Sequence, residues 1–380
     1  MKKIAIIGAS YLQNPLILKA KAMGIETHVF AWESHDIGEY TADHFYPISI
    51  VEKEKILEQC ERIGIDGICS IASDLAAITV NYVANRMGLI GNTDDCTFVS
   101  TNKNAMRRRF EECGDPSPRS IPVIGTEDVS GLNLTYPVIV KPVDRSGSRG
   151  ITLVRDPKKL GDAIRASEDI GFEKMALIEE FVTGSEYSAE SVSWNGEHHL
   201  LAITKKYTTG DPNFIETAHM EPSDLTEEQQ ESVRGIVFHA LSSLGIRNGA
   251  SHSEFKIDSD GNIKIIEIGG RMGGDFIGST LVYQSTGVDF LKAVIDISIG
   301  NEPDVRKTKS RSAAVRFVFS KDDLDVLDKL KRDAPQLLLE ESLSPITDHK
   351  VTDSSTRFGY WIMISEKADE LIPYLPKELS

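Results

Sequence analysis

The sequence predicts a chain of α/β and α+β character, with a Rossmann-like domain first, a longer region of antiparallel hairpins and helices next, and a small α+β piece last. Three observations carry that expectation. Over the first 95 residues short apolar runs alternate with helical segments, the pattern of a parallel sheet with helices on its faces. From about residue 135 the apolar runs come in pairs around tight turns, as antiparallel hairpins do. At 380 residues, the chain exceeds what one hydrophobic core ordinarily serves.

The elements follow in order. KIAII (residues 3–7) reads as a strand; it is too short for the core of a signal peptide and breaks at Gly8. Asn14 as a cap and Pro15 at the first helical position open a helix that runs to about Met23. A strand around THVFAW, a helix EKEKILEQCERIG, a strand GICSIA and a helix from Ser73 or Asp74 to Met87 complete the first domain. Gly8 stands where a dinucleotide domain would touch phosphate, but Ala9 to Gln13 supply no second glycine, so the GxGxxG fingerprint is missing and a plain tight turn is expected. Further on, YPVIVKPVDRSGSRGITLVRD reads as a hairpin, Asp156 and Pro157 cap a helix, and KMALIEEFVTGSEYSAESVSW reads as strand, turn and strand. A Thr-x-x-Gln capping box at Thr226 starts a helix with Val233, Ile236, Val237, Ala240, Leu241 and Leu244 on one face, which leaves His239 in solvent. The polar stretch NEPDVRKTKSR reads as a linker before the final piece, which opens with SAAVRFVFS.

Charge narrows the partners. With a net charge of -16, the chain has no long-range attraction for nucleic acid or anionic membrane, and an anionic ligand must meet a local positive cluster. No apolar stretch approaches membrane-spanning length. The four cysteines (Cys60, Cys69, Cys96, Cys113) show no CxxC or metal-finger spacing, which favours reduced thiols in the cytoplasm.

One segment concentrates chemistry. In SHSEFKIDSDGNIKIIEIGG a two-residue turn at Asp260 and Gly261 sets Glu254 opposite Glu267, with Phe255, Ile257, Ile266 and Ile268 on the other face. Opposed side chains there stand about 5 Å apart, where two bare carboxylates repel by roughly 3 kcal/mol at an effective dielectric of about 20. Protonation, an inward bend of Lys256 or Lys264, or a shared cation would offset that, and an all-oxygen ligand set favours Mg²⁺. Arg271 follows one turn later between glycines that would let a ligand approach the backbone. A cation beside an arginine suits charge on a transferring phosphoryl group. Lys141 ends a strand before the small-residue loop DRSGSRG, which is not a GxxxxGK[ST] loop but can close over phosphates through backbone N–H groups. Lys103, in the first turn of TNKNAMRRRFEEC, opposes the helix dipole, a conflict that a bound anion would remove; the arginines at 107–109 read as a solvated face.

In this order and spacing the set resembles the ATP-grasp superfamily of carboxylate-amine ligases and related carboxylating enzymes over roughly residues 1–300. The resemblance implies a Rossmann-like domain (1–95), a two-lobed ATP-grasp domain (96–303, with a lid lobe at about 120–183) and a C-terminal α+β subdomain (304–380). It implies ATP and Mg²⁺ or Mn²⁺ as cofactors. Lys103 and Lys141 resemble the phosphate-contacting lysines, and Ser146, Gly147, Ser148 and Gly150 the lid. Glu179, Glu180, Phe181 and Val182 resemble the adenine-facing segment between the lobes, and Glu186 the ribose ligand. Glu254 and Glu267 match the metal ligands, and Arg271 matches the catalytic arginine. The family commonly has asparagine, a further metal ligand, where this chain has Gly269, which leaves the coordination of a second metal open. The version Glu-Ile-Gly-x-Arg is similar to that of L-amino-acid ligases, and NFIETAHMEPSDL is similar to their sequence too, which implies Glu216 and His219 in the substrate pocket beside Arg271; Asp275, four residues after Arg271, would be placed to tune that site.

The activity so implied is ADP-forming carbon–nitrogen ligation through an acyl phosphate, acting on a small-molecule carboxylate, such as an amino acid, and an amine. A homodimer is left open. Within the class, a carbamoyl-phosphate-synthetase-like, biotin-carboxylase-like or purine-biosynthetic role would use bicarbonate. Outside it stand a non-catalytic ATP-binding regulatory protein and, with its fingerprint missing, a Rossmann oxidoreductase.

Overall fold

The computed structural model describes residues 1–126, 129–145, 147, 149–212 and 214–377, and three sheets take up the chain in order. The first is parallel, with strands β1 (Lys3–Ile7), β2 (Glu26–Ala31), β3 (His44–Pro47) and β4 (Gly67–Cys69) in the order β3-β2-β1-β4. Helices α1 (Asn14–Ala22), α2 (Ile37–Thr41) and α3 (Lys53–Ile63) connect them, and α4 (Asp74–Met87) follows β4. Ile4, Ala5, Ile6 and Ile7 are all fully buried, as a strand covered on both faces requires. Asn14 proves to be the first helical residue rather than the cap: Gln13 precedes the helix, with Ser10 donating to its Oε1 while its own Nε2 donates to Ile71 O.

Helices α5 (Asp94–Thr101) and α6 (Lys103–Cys113) lead to a second, antiparallel sheet of β5 (Ser120–Val123), β6 (Val138–Pro142), β7 (Thr152–Val154) and β8 (Ala176–Glu180), in the order β5-β8-β6-β7. Helix α7 (Leu160–Ile170) covers it through Leu160, Ala163 and Ile164. This is a small lobe with a core of its own.

The third sheet has eight antiparallel strands: β9 (Ser185–Trp194), β10 (Glu197–Thr208), β11 (Glu216–Glu221), β12 (Gly249–Ile257), β13 (Ile263–Gly269), β14 (Ser312–Phe317), β15 (Leu338–Leu343) and β16 (Gly359–Ser365), in the order β13-β12-β9-β10-β11-β14-β16-β15. Helix α8 (Glu227–Ser243) lies on its first half, burying Val233, Val237, Ala240 and Leu241. Each large aliphatic side chain so buried contributes about 1.5–3 kcal/mol. After β13 come a short π-helical turn, α9 (Val282–Thr286) and α10 (Phe290–Ser298), whose Phe290, Leu291, Val294 and Ile295 join the core of the first domain; α11 (Lys321–Asp333) packs with the last strands. The boundary expected at 303/304 does not interrupt this sheet, because β14 pairs directly with β11. Among the described residues, no helix is long and apolar enough to cross a membrane.

Candidate active site

The cleft floor is built by strand alternation. Along β10, β9, β12 and β13, side chains two residues apart share a face, and the register aligns them in three rows. Lys206, Glu186, Lys256 and Lys264 form the first row, Thr204, Ser188, Glu254 and Glu267 the second, and Ala202, Glu190, His252 and Gly269 the third. Glu254 and Glu267 do face each other, but by another route than a two-residue turn. The loop spans Asp258–Asn262, closed by Asp258 N donating to Asn262 O, with Gly261 at φ +85°. A bulge at Ile266 then restores the pairing of the acids. In consequence Ile265, not Ile266, enters the core, while Ile266 lines the cleft.

The repulsion between the two acids is offset by a cation on each. Lys103 Nζ donates to Glu267 Oε1 at 2.8 Å and to Arg145 O at 2.7 Å. Lys206 Nζ and His252 Nε2 reach Glu254 Oε1 at 2.5 and 3.2 Å. An inward bend of Lys256 or Lys264, one of the alternatives the sequence left open, does not occur: Lys264 pairs with Glu180 at 2.6 Å, and Lys256 turns to Val182 O and Glu186. Burial opposes charge on Glu254, but Lys206 and His252 outweigh it and hold the carboxyl well below its usual range. Burial would also lower His252, yet Glu190, 2.5 Å from its Nδ1, and Glu254 push it up to about 9. The second oxygens of Glu254 and Glu267 accept no hydrogen bond among the described residues. Two such hard donors across a strand pair fit Mg²⁺ or Mn²⁺.

The roof comes from the small lobe. Lys141 Nζ lies 2.5 Å from Glu179 Oε2, and Arg107 Nε donates to Glu179 Oε1 at 2.8 Å. Arg107 is therefore buried rather than solvated, because α6 turns it inward; Arg109 too is engaged, with Asp95 and Ser243 O. Burial pushes Lys141 down more than the shared Glu179 carboxylate raises it, with Arg107 and Lys103 adding to the depression. Glu179 itself is raised by burial but lowered further by Arg107 and Lys141. Glu180, Phe181, Val182 and Glu186 line the cleft where β8 hands over to β9, and Gly147 lines it too. Gly150, at φ +75°, packs against Ile170 and against Pro142, which itself lines the cleft. Ser146 and Ser148 lie outside the described residues.

Arg271 is anchored from the first domain, its Nε and Nη2 donating to Asp74 at 2.8 and 3.2 Å. The glycines around it serve packing. A Cβ on Gly269 would stand 3.0 Å from Asp74 Oδ1, and one on Gly273 would stand 2.8 Å from His252 Nδ1. Beyond Arg271 a second cavity opens, lined by Tyr11, Asp74, Glu216, His219, Asp275 and Arg357 among others. Arg357 grips Asp275 at 2.7 and 2.9 Å, and His219 Nε2 lies 3.7 Å from it. Burial would raise Asp275, but Arg357 and then His219 hold it far below the usual carboxylate range.

Asp74, Glu190, Lys206, His252 and Arg357 were not singled out from the sequence. His252 carried a signal, standing two residues before Glu254 on a strand and hence on its face. Arg357 carried none, being 82 residues from its partner.

A family profile described as the ATP-grasp domain matches residues 134–279. The chain is 28% identical over 299 residues to an uncharacterized protein, y4rH, of Sinorhizobium fredii, which covers 74% of this chain and 60% of that one. It is 28% identical over 245 residues to alanine–anticapsin ligase of Bacillus subtilis, covering 58% of this chain and 51% of the relative. It thus spans between half and two thirds of the length of these relatives. The crystal structure of an L-amino acid ligase from Bacillus licheniformis superposes with a TM-score of 0.83 at 23% identity, over 98% of this chain and 96% of that one. That profile lies across the cleft's roof and floor, so the match to the ATP-grasp domain falls on the residues that build the site.

Proposed function

We propose that this chain is an ATP-dependent, ADP-forming carboxylate–amine ligase that works through an acyl phosphate on an amino acid or a similar small carboxylate. The observation that carries the reading is the wall shared by the two cavities: Gly147, Arg149, Glu216, His252, Glu254 and Arg271 line both. A phosphoryl group offered from one side meets a carboxylate held on the other. Buried Lys103 and Lys141 bind phosphate oxygens, Phe181, Val182 and Ile266 give adenine an apolar slot, and Glu186 takes the ribose hydroxyls. Glu254 and Glu267 hold Mg²⁺, which when bound neutralises phosphate oxygens. Arg271, oriented by Asp74, stands at the junction to stabilise the charge in transfer. Glu216, His219, Asp275 and Arg357 shape the substrate side. Gly147 and Arg149 border both cavities, where exclusion of water would let the acyl phosphate meet an amine. Dependence on ATP suits a cytoplasmic enzyme. The names of the alanine–anticapsin ligase and the L-amino acid ligase support an amino acid as the acid partner.

ADP and phosphate release from Mg-ATP across a panel of amino acids, small carboxylates and amines tests this. Release should need one acid and one amine and fall at least about 100-fold in Glu267→Gln, the cost expected for loss of a metal ligand. ATP binding without release under any pair would overturn it.

A further inference from the structure

The geometry points to a transition-metal site, for which zinc is the fitting ion, on the parallel sheet of the first domain and outside the cleft. It stands on geometry independent of the ligase reading. Glu26 and His28 lie two residues apart on β2 and so share a face, and His44 on β3 is the register partner of His28. One ligand atom from each lies within 4.8 Å of the other two. Glu26 Oε1 stands 3.1 Å from His28 Nε2 and 3.2 Å from His44 Nε2. Ligands bonded to zinc at about 2.0–2.1 Å in a tetrahedron are separated by about 3.3 Å, close to both carboxylate–imidazole distances here.

A second observation concerns the buried ring of His28. Its side chain is 4% exposed, and its Nε2, despite the nearby carboxylate, has no hydrogen bond of acceptable direction. A buried ring nitrogen left so is rare. The other nitrogen, Nδ1, lies 3.0 Å from the Tyr46 hydroxyl, and with that hydroxyl accepting, Nδ1 carries the proton and Nε2 keeps its lone pair for a metal. The two imidazoles stack at 4.7 Å with 14° between their planes, and His44, half exposed, has room to turn its Nε2 onto a shared ion. Two imidazoles and one carboxylate leave a fourth position for water. Binding would tie β3, the edge strand, to β2.

The test titrates the full-length, tag-free chain with Zn²⁺ against a chromophoric chelator, with excess Mg²⁺ to occupy the carboxylate cleft, and repeats it with Co²⁺ to read coordination geometry. The expected result is one equivalent of Zn²⁺ and intense tetrahedral Co²⁺ bands, both lost in His44→Ala and in Glu26→Gln while the far-ultraviolet circular dichroism stays unchanged. His44 is exposed enough for its variant to fold. Equal zinc uptake by the parent and His44→Ala, no uptake at all, or only weak octahedral Co²⁺ bands would overturn the assignment.

Discussion

At the scale of single residues, four carboxylates of the cleft, one buried and three partly buried, are each matched by a cation. Glu179 lies between Lys141 and Arg107, Glu254 beside Lys206, Glu267 beside Lys103 and Asp74 under Arg271. Leaving the buried Glu179 unpaired would cost several kcal/mol. Glu221 differs. It is fully buried and accepts hydrogen bonds from the Thr204 and Ser285 hydroxyls, and burial, reinforced by Glu190, pushes its carboxyl up to about 8. In the unfolded chain it titrates at about 4.3. Since the folded value is the higher, its contribution to stability is complete below about 4.3 and is lost as pH rises through about 8, at up to roughly 1.4 kcal/mol per pH unit. Glu221→Gln should therefore flatten the fall in thermal midpoint between pH 5 and 8, and an unchanged slope in the variant would disprove the assignment. From the sequence, the residue types of Lys103, Lys141 and Glu267 suggested their place, whereas Glu179 read only as backbone beside a base; its side chain acquires a role when α6 delivers Arg107.

At the scale of elements, period-two alternation on four neighbouring strands turns dispersed polar residues into a floor of three rows. The hairpin logic that paired Glu254 with Glu267 was sound about the face and wrong about the turn. A longer loop and a compensating bulge give the same pairing, and a bulge leaves no mark in composition. The glycine run after β13 was expected to admit a ligand, yet Gly273 makes room for the Glu190–His252 pair. In Gly273→Ala the new Cβ, 2.8 Å from His252 Nδ1 and 2.9 Å from Glu190 Oε2, must displace that pair. Phosphate release should drop roughly 10- to 100-fold, as for a displacement of about 1 Å near the chemistry. Steady-state kinetics with circular dichroism decides the point: full activity in a folded variant would show the close packing to be dispensable.

At the scale of the molecule, the last strands belong to the sheet that carries the site. Chain ending at residue 303 would leave β11 as an open edge and strip Ala218 and Met220 of Ala314, Trp361 and Met363. Such a truncation should aggregate or fail to melt cooperatively in gel filtration and calorimetry, and a soluble, cooperatively melting product would refute the dependence. The sequence by itself determined the alternation of strands and helices in the first domain, the apolar face of α8, and the pairing of Glu254 with Glu267, because these rest on periodicity and on contacts a few residues apart. Tertiary structure alone decided that α10 completes the first core, that Asp74 orients Arg271 across 197 positions, and that Arg357 closes the second cavity on Asp275. Those contacts join charged groups whose local sequence is equally suited to solvent; only when the sheets come together does burial force each charge to find its partner.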